Sequence, residues 1–137
     1  MLSIFEWPVR VYYEDTDAGG VVYYANYLKY LERARTEWLR KLGFEQDLLM
    51  RESGIVFAVR RVEIDYLLPA RLDDALSVQA EIAAAGRASL TFAQRIVRPP
   101  GTELIRATVK VACLDREKFR PAAIPPLIRE KLIHAHE

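Results

Sequence analysis

Between Tyr27 and Leu42 the apolar residues Tyr27, Leu28, Leu31, Ala34, Trp38, Leu39 and Leu42 recur at three- and four-residue steps. Lys29, Glu32, Arg33, Glu37, Arg40 and Lys41 stand mostly opposite them. That period predicts one long amphipathic helix from Val22 to about Leu42, stopped at Gly43. Elsewhere the pattern is extended. Val9 to Tyr13 is β-branched and aromatic and predicts a strand, which Glu14-Asp15-Thr16-Asp17 and then Gly19-Gly20 break. A short helical piece around Glu45 to Arg51 leads to a long strand closed by Pro69. In that strand Val56, Ala58, Arg60, Val62, Ile64, Tyr66 and Leu68 alternate with Phe57, Val59, Arg61, Glu63 and Asp65. Leu76 to Ala85, Ser89 to Val97 and Leu104 to Leu114 predict further strands. Turn signals at Ala85-Gly86-Arg87 and Pro99-Pro100-Gly101 separate them, so neighbours should run antiparallel. Past Pro121, Pro125 and Pro126 a C-terminal helix is expected from Leu127 to His136. The order β, long α, then four β predicts an α+β fold, one helix lying on a curved antiparallel sheet.

At 137 residues, with no repeat, low-complexity tract or linker, the chain is expected to form a single domain over residues 1–137. Apolar residues make up 51% and charged ones 28%, a globular balance, and a net charge of +1 gives no electrostatic case for nucleic acid as the main partner. No apolar run approaches the roughly 18 residues needed to span a bilayer, so no transmembrane segment is expected. Met1-Leu2-Ser3-Ile4-Phe5-Glu6 lacks the basic and apolar regions of a secretory signal, and the single cysteine, Cys113, cannot form an internal disulfide. These features predict a cytoplasmic protein.

The catalytic inventory is narrow. The only histidines, His134 and His136, stand in the last four residues, which argues against a serine–histidine triad. No serine sits in a G-x-S-x-G elbow, and Cys113 lies in an apolar strand, the setting of a small buried residue. Zinc-type spacing is absent. Asp15-Thr16-Asp17-Ala18-Gly19-Gly20 begins like a calcium loop, but Gly19 stands where a third oxygen ligand belongs and Asn26 replaces the closing glutamate. Neither metal nor cofactor is therefore expected. What remains is Asp17, a carboxylate on a glycine-containing loop between strand and helix. Unpaired N–H groups and the positive helix end at Val22 to Tyr24 could polarise a carbonyl that the carboxylate attacks, or toward which it activates water. On these features alone the plainer reading leads: Asp17 caps the helix or closes an Asx turn.

The stretch from Val9 to Arg35, with Asp17-Ala18-Gly19-Gly20-Val21-Val22-Tyr23-Tyr24 at its centre, resembles the hot-dog acyl-CoA thioesterases of the 4-hydroxybenzoyl-CoA thioesterase family. The nearest branch is the YbgC type, associated with the Tol-Pal system. The likeness continues through Val59-Arg60-Arg61, Tyr66 to Asp74, Phe92 to Val97 and the proline-rich tail. It implies the hot-dog fold, and hydrolysis of acyl-CoA to free acid and CoA. Asp17 would be nucleophile or general base, and the Tyr24 backbone amide would polarise the carbonyl. Many YbgC-type members carry histidine where this chain has Tyr24, so no imidazole role is available; the hydroxybenzoyl-CoA branch also has tyrosine there. Gly20, Val22, Tyr23 and Tyr27 are the expected substrate contacts on the loop and helix start. Arg60 and Arg61, with Arg87, Arg95 and Arg98, are candidates for the coenzyme's phosphates, given a cluster formed across subunits. Another hot-dog branch uses a helix glutamate as base, but Glu32, in Glu32-Arg33-Ala34-Arg35, is expected to form an ion pair. The resemblance further implies a homo-oligomer, an edge-to-edge dimer or a homotetramer, with acyl carrier protein as a second possible carrier of the substrate. The competing function is a noncatalytic module that binds acyl-CoA or acyl carrier protein and is linked to envelope organisation. A hot-dog dehydratase would need a helix histidine, and none occurs between Met1 and Ile133.

Overall fold

A computed structural model describes residues 4–133 of the chain, so His134 and His136 lie outside the described residues. The elements are strand β1 (Phe5–Arg10), a 3-10 turn (Tyr13–Asp15) and helix α1 (Asn26–Lys41). Next come a short helix α2 (Gln46–Leu48) continuing into a π-turn (Leu49–Ser53), and strands β2 (Ile55–Tyr66), β3 (Ala75–Ala85), β4 (Ser89–Arg98) and β5 (Thr102–Asp115). Helix α3 (Pro126–Ile133) follows. The strands form one five-stranded antiparallel sheet in the order β1-β3-β4-β5-β2, so β1 and β2 are its edges. This is the expected α+β architecture.

Three local differences from the sequence reading bear on the site. The first strand is Phe5–Arg10, not Val9 to Tyr13. It pairs from Phe5↔Ala80 to Arg10↔Ala75, and Pro8, which argues against a strand in sequence, is tolerated because β1 is an edge. The long helix starts at Asn26, four residues later than expected. Thr16–Val22 and Val21–Arg71 bridges hold that stretch extended. Finally, the alternation in β2 changes face partway. Val59 pairs with Val111 and Arg61 with Lys110, leaving Arg60 as an inserted bulge residue. Phe57 and Val59 therefore share a face with Val62, Ile64 and Tyr66, and Val56 and Ala58 take the other.

Helix α1 lies on the sheet through Tyr27, Tyr30, Leu31, Ala34, Trp38 and Leu39, all buried. They join two adjoining apolar clusters: Val9, Val11, Leu76, Val78 and Ile96 surround the first half of the helix, and Leu90, Phe92, Val109, Val111 and α3 surround the second. A polar pair interrupts this interior. Arg35 Nη1 donates to Gln94 Oε1 at 2.9 Å, and Gln94 Nε2 donates to the Leu31 carbonyl at 3.1 Å. Burial pushes the Arg35 guanidinium down from its ordinary value, and Glu32 partly restores it. Gln94→Leu strips a buried cation of its acceptor and is expected to lower stability by about 2–4 kcal/mol. Arg35→Met in the same chain should restore part of that loss. Urea denaturation checks both; a loss below about 0.5 kcal/mol for Gln94→Leu would show that the pair does not matter to the fold.

Candidate active site

The loop between β1 and α1 is held by backbone. Asp17 N–H donates to the Val21 carbonyl at 2.9 Å, Gly20 N–H to the Asp17 carbonyl at 3.0 Å, and Val22 N–H to the Ala70 carbonyl at 2.9 Å. Gly20 sits at φ 80°, where a side chain would strain the backbone. Asp17 Oδ1 accepts the Gly19 N–H at 2.8 Å, so the Asx turn is present. That bond occupies one carboxylate oxygen. Asp17 is exposed, and it caps neither the 3-10 turn nor α1.

Asp15 ties the loop to the helix start. Its carbonyl accepts the Tyr23 N–H at 2.9 Å and Asn26 Nδ2 at 3.0 Å, and its Oδ2 accepts the Tyr12 N–H at 2.8 Å. The sequence reading did not single out Asp15 or Asn26 as struts. Asp15→Asn keeps an oxygen for the Tyr12 N–H and should leave turnover within about tenfold of wild type. Asp15→Ala loses that acceptor and should destabilise the fold by about 1 kcal/mol. Steady-state kinetics and a denaturation curve check this; an Asp15→Asn variant as inactive as Asp17→Asn would move the catalytic carboxylate to Asp15.

The helix start itself is open. Of the N–H groups from Val22 to Tyr24 expected to be unpaired, Val22 donates to Ala70 and Tyr23 to Asp15. The Asn26 N–H donates to the Tyr23 carbonyl at 2.8 Å, closing a turn with Tyr24 and Ala25 in the middle. Among the described residues neither Tyr24 nor Ala25 N–H has a protein acceptor. Ala25 stands at the N-cap and supplies no side-chain cap, and the first turn holds no acidic residue. The positive end of a 16-residue helix is thus left available next to the loop that carries Asp17.

Aromatic rings line this corner. Tyr24 packs against Tyr23 with ring centroids 4.9 Å apart and edge-on to Tyr66 at 6.2 Å, and the Tyr66 hydroxyl donates to the Tyr24 carbonyl at 3.2 Å. The Tyr23 phenol is pushed up by the adjacent Tyr24 phenol first, then by partial burial and the Asp17 charge. Partial burial, then Tyr24, raises that of Tyr66. Tyr30, fully buried, is pushed well up by burial and then by Asp15. The sequence likeness ran through Tyr66 and Ala70 without giving either a role; they arrive from the end of β2 and the segment that follows it.

The expected site residues divide accordingly. Asp17, Gly20, Tyr23 and Tyr24 are exposed around the open helix start. Val22 and Tyr27 are buried, and the Tyr27 hydroxyl accepts the Ala70 N–H at 3.0 Å, so both serve as struts. Arg60 and Arg61 lie on β2 at its bulge, five or more residues, on the order of 17 Å, from Tyr66, and Arg61 pairs with Glu63 at 2.7 Å. One chain does not bring them to Asp17. Arg95 pairs with Glu103 at 2.6 Å and Arg98 with Asp74 at 3.2 Å, and Arg87 lies by α3. Glu32 forms no ion pair among the described residues; Glu37 pairs with Arg40 instead. Cys113 is fully buried, and burial raises its thiol. Iodoacetamide should therefore leave the native protein unmodified and its activity unchanged, as mass spectrometry and assay would show. Among the described residues no group of His, Cys, Asp or Glu could hold a metal, and no helix is long and apolar enough to cross a membrane.

Comparison with known proteins places the chain in a family. The thioesterase-like superfamily matches residues 11–132. The chain is 52% identical over 126 residues to the acyl-CoA thioester hydrolase YbgC of Escherichia coli, covering 92% of this chain and 93% of that one. It is 49% identical over 130 residues to the acyl-CoA thioesterase YbgC of Haemophilus influenzae, covering 95% of each. The crystal structure of a probable thioesterase from Bartonella henselae superposes with a TM-score of 0.84 at 35% identity, covering 90% of this chain and all of that one.

Proposed function

From a chain that belongs to the thioesterase-like superfamily, as a YbgC-type hot-dog thioesterase, we propose that Asp17 and the Tyr24 N–H carry out the hydrolysis of acyl-CoA. The reaction class is thioester hydrolysis. The observation that carries the residue assignment is the uncapped start of α1 beside an exposed carboxylate with only one oxygen engaged. With the thioester oxygen on the Tyr24 N–H, the helix dipole and that donor stabilise the charge that develops as the carbonyl carbon becomes tetrahedral. Asp17 either adds to that carbon, giving an anhydride that water then opens, or takes a proton from the water that adds. In both routes the C–S bond breaks, CoA leaves as thiolate and is protonated, and the acyl group departs as the acid. Gly20 and Tyr23 flank the bound thioester.

The site of a single chain is open on one side, and the outer edge of β2 is unpaired. A second copy joined along that edge would cover the site and bring its own Arg60 and Arg61 toward the coenzyme's phosphates. The single hot-dog domain thus works as a dimer or as a tetramer made of dimers. Acyl-CoA is its substrate, with acyl carrier protein thioesters as a further form, and one buried cysteine suits the reducing cytoplasm. Sedimentation of the active protein checks the assembly; a stable, active monomer at micromolar concentration would overturn it. The activity itself is tested by release of free thiol from aliphatic and aromatic acyl-CoAs. Binding without turnover across that panel would instead identify a noncatalytic carrier of acyl groups.

A further inference from the structure

A pocket of about 70 Å³ lies between α1 and the sheet, walled by Leu39, Phe57, Val59, Leu90, Phe92 and Val111. Arg35 lines it. This side chain is 8% exposed, and its guanidinium donates to one protein acceptor, Gln94 Oε1, among the described residues. Gln94 cannot turn away, because its own amide nitrogen is taken by the Leu31 carbonyl. The remaining guanidinium donors are left without protein acceptors, in a cavity whose other polar lining, Thr36 and Gln46, is engaged in a mutual hydrogen bond at 3.2 Å and which is sized for the end of a chain. Glu32 stands at the rim with its carboxylate unpaired.

Residues of one strand face run from the candidate active site toward the pocket. Tyr66 touches Tyr24, and Ile64, Val62 and Val59 follow it on the same face of β2 as far as the pocket. Along α1, Arg35 is nine residues, on the order of 14 Å, beyond the helix start. An extended chain advances about 1.25 Å per bond, so ten carbons reach about 11 Å, and the Arg35 side chain, leaning toward the helix start, spans the rest.

We propose that this pocket is the far end of the acyl-binding groove and selects medium-length acyl chains bearing an uncharged oxygen, a hydroxyl or oxo group, at their distal end, which the free Arg35 donors bind. The inference rests on the thioesterase reading above. A carboxylate at that end is disfavoured because Glu32 already places a negative charge at the rim, and an unsubstituted chain would bury the guanidinium donors unsatisfied.

The test compares kcat/KM of the wild-type protein on decanoyl-CoA, 10-hydroxydecanoyl-CoA, 6-hydroxyhexanoyl-CoA with hexanoyl-CoA, and the mono-CoA thioester of decanedioic acid. The 10-hydroxy chain should exceed decanoyl by about tenfold or more, the size of discrimination a buried charged donor gives. It should also exceed the diacid, and the 6-hydroxy group, too short to reach Arg35, should give no preference over hexanoyl. In Arg35→Met the ratio of 10-hydroxydecanoyl to decanoyl should fall toward one, whatever the absolute rates. Equal or better use of decanoyl by the wild type, a preferred diacid, or a ratio that survives in Arg35→Met overturns the inference while leaving the hydrolase reading intact. The wild-type comparison decides even if the variant fails to fold. Hydrolysis of none of these thioesters would overturn both.

Discussion

Tyr24→Pro is expected to lose roughly a hundredfold to a thousandfold in kcat, and Tyr24→Phe to stay within a few-fold of wild type. The structure makes proline a clean probe here. Tyr24 occupies the second position of the turn closed by the Asn26 N–H and the Tyr23 carbonyl, followed by Ala25 at φ −72° and ψ −20°. That second position is one that proline favours, and the N–H it would delete holds up no part of the fold. The loss would therefore fall on the donor aimed at the carbonyl oxygen. Phenylalanine removes a hydroxyl that interacts with the neighbouring Tyr23 phenol and keeps the ring contacts with Tyr23 and Tyr66. Circular dichroism confirms folding, and steady-state kinetics on both variants decide. A collapse in Tyr24→Phe with little effect in Tyr24→Pro would show that the phenol, in place of the imidazole of related chains, carries the function.

The residues whose roles are set by near neighbours were legible in sequence. The period of α1, the four later strands and the glycine-containing loop all follow from local patterns, whereas Asp17 and Tyr24 became candidates through the family likeness of the stretch Asp17 to Tyr24. What was not legible depends on distant partners. Helix α1 starts late because Thr16 and Val22 bridge and Ala70 accepts the Val22 N–H, and no helix propensity near Val22 encodes that. The face change in β2 comes from a bulge at Arg60 that a strict two-residue alternation cannot express. Asp15 read as a second acidic neighbour of Asp17, yet its carbonyl, which no side-chain pattern reveals, is what fastens loop to helix. Arg35 stands among the apolar positions of α1, four residues after Leu31 and three before Trp38, and a charge there is tolerated because Gln94, far along the chain, gives it an acceptor.

Asp17→Asn should fold as the wild type does and lose at least about a hundredfold in turnover, more if the carboxylate is the nucleophile. Asparagine is nearly isosteric, and its amide oxygen can still accept the Gly19 N–H, so the turn that fixes the loop survives. What disappears is the charge and the oxygen able to attack a carbonyl or take a proton from water. Stability and the far-ultraviolet spectrum should hardly move, and Asp15→Asn serves as the matched control for loss of one negative charge on the same loop. The deciding measurement is the rate of CoA thiol release at saturating acyl-CoA by purified wild-type and Asp17→Asn protein. Rapid release by the wild type, with a folded variant at least about a hundredfold slower, is the expected result. A folded Asp17→Asn protein that releases thiol within a few-fold of the wild-type rate would contradict the assignment of this carboxylate.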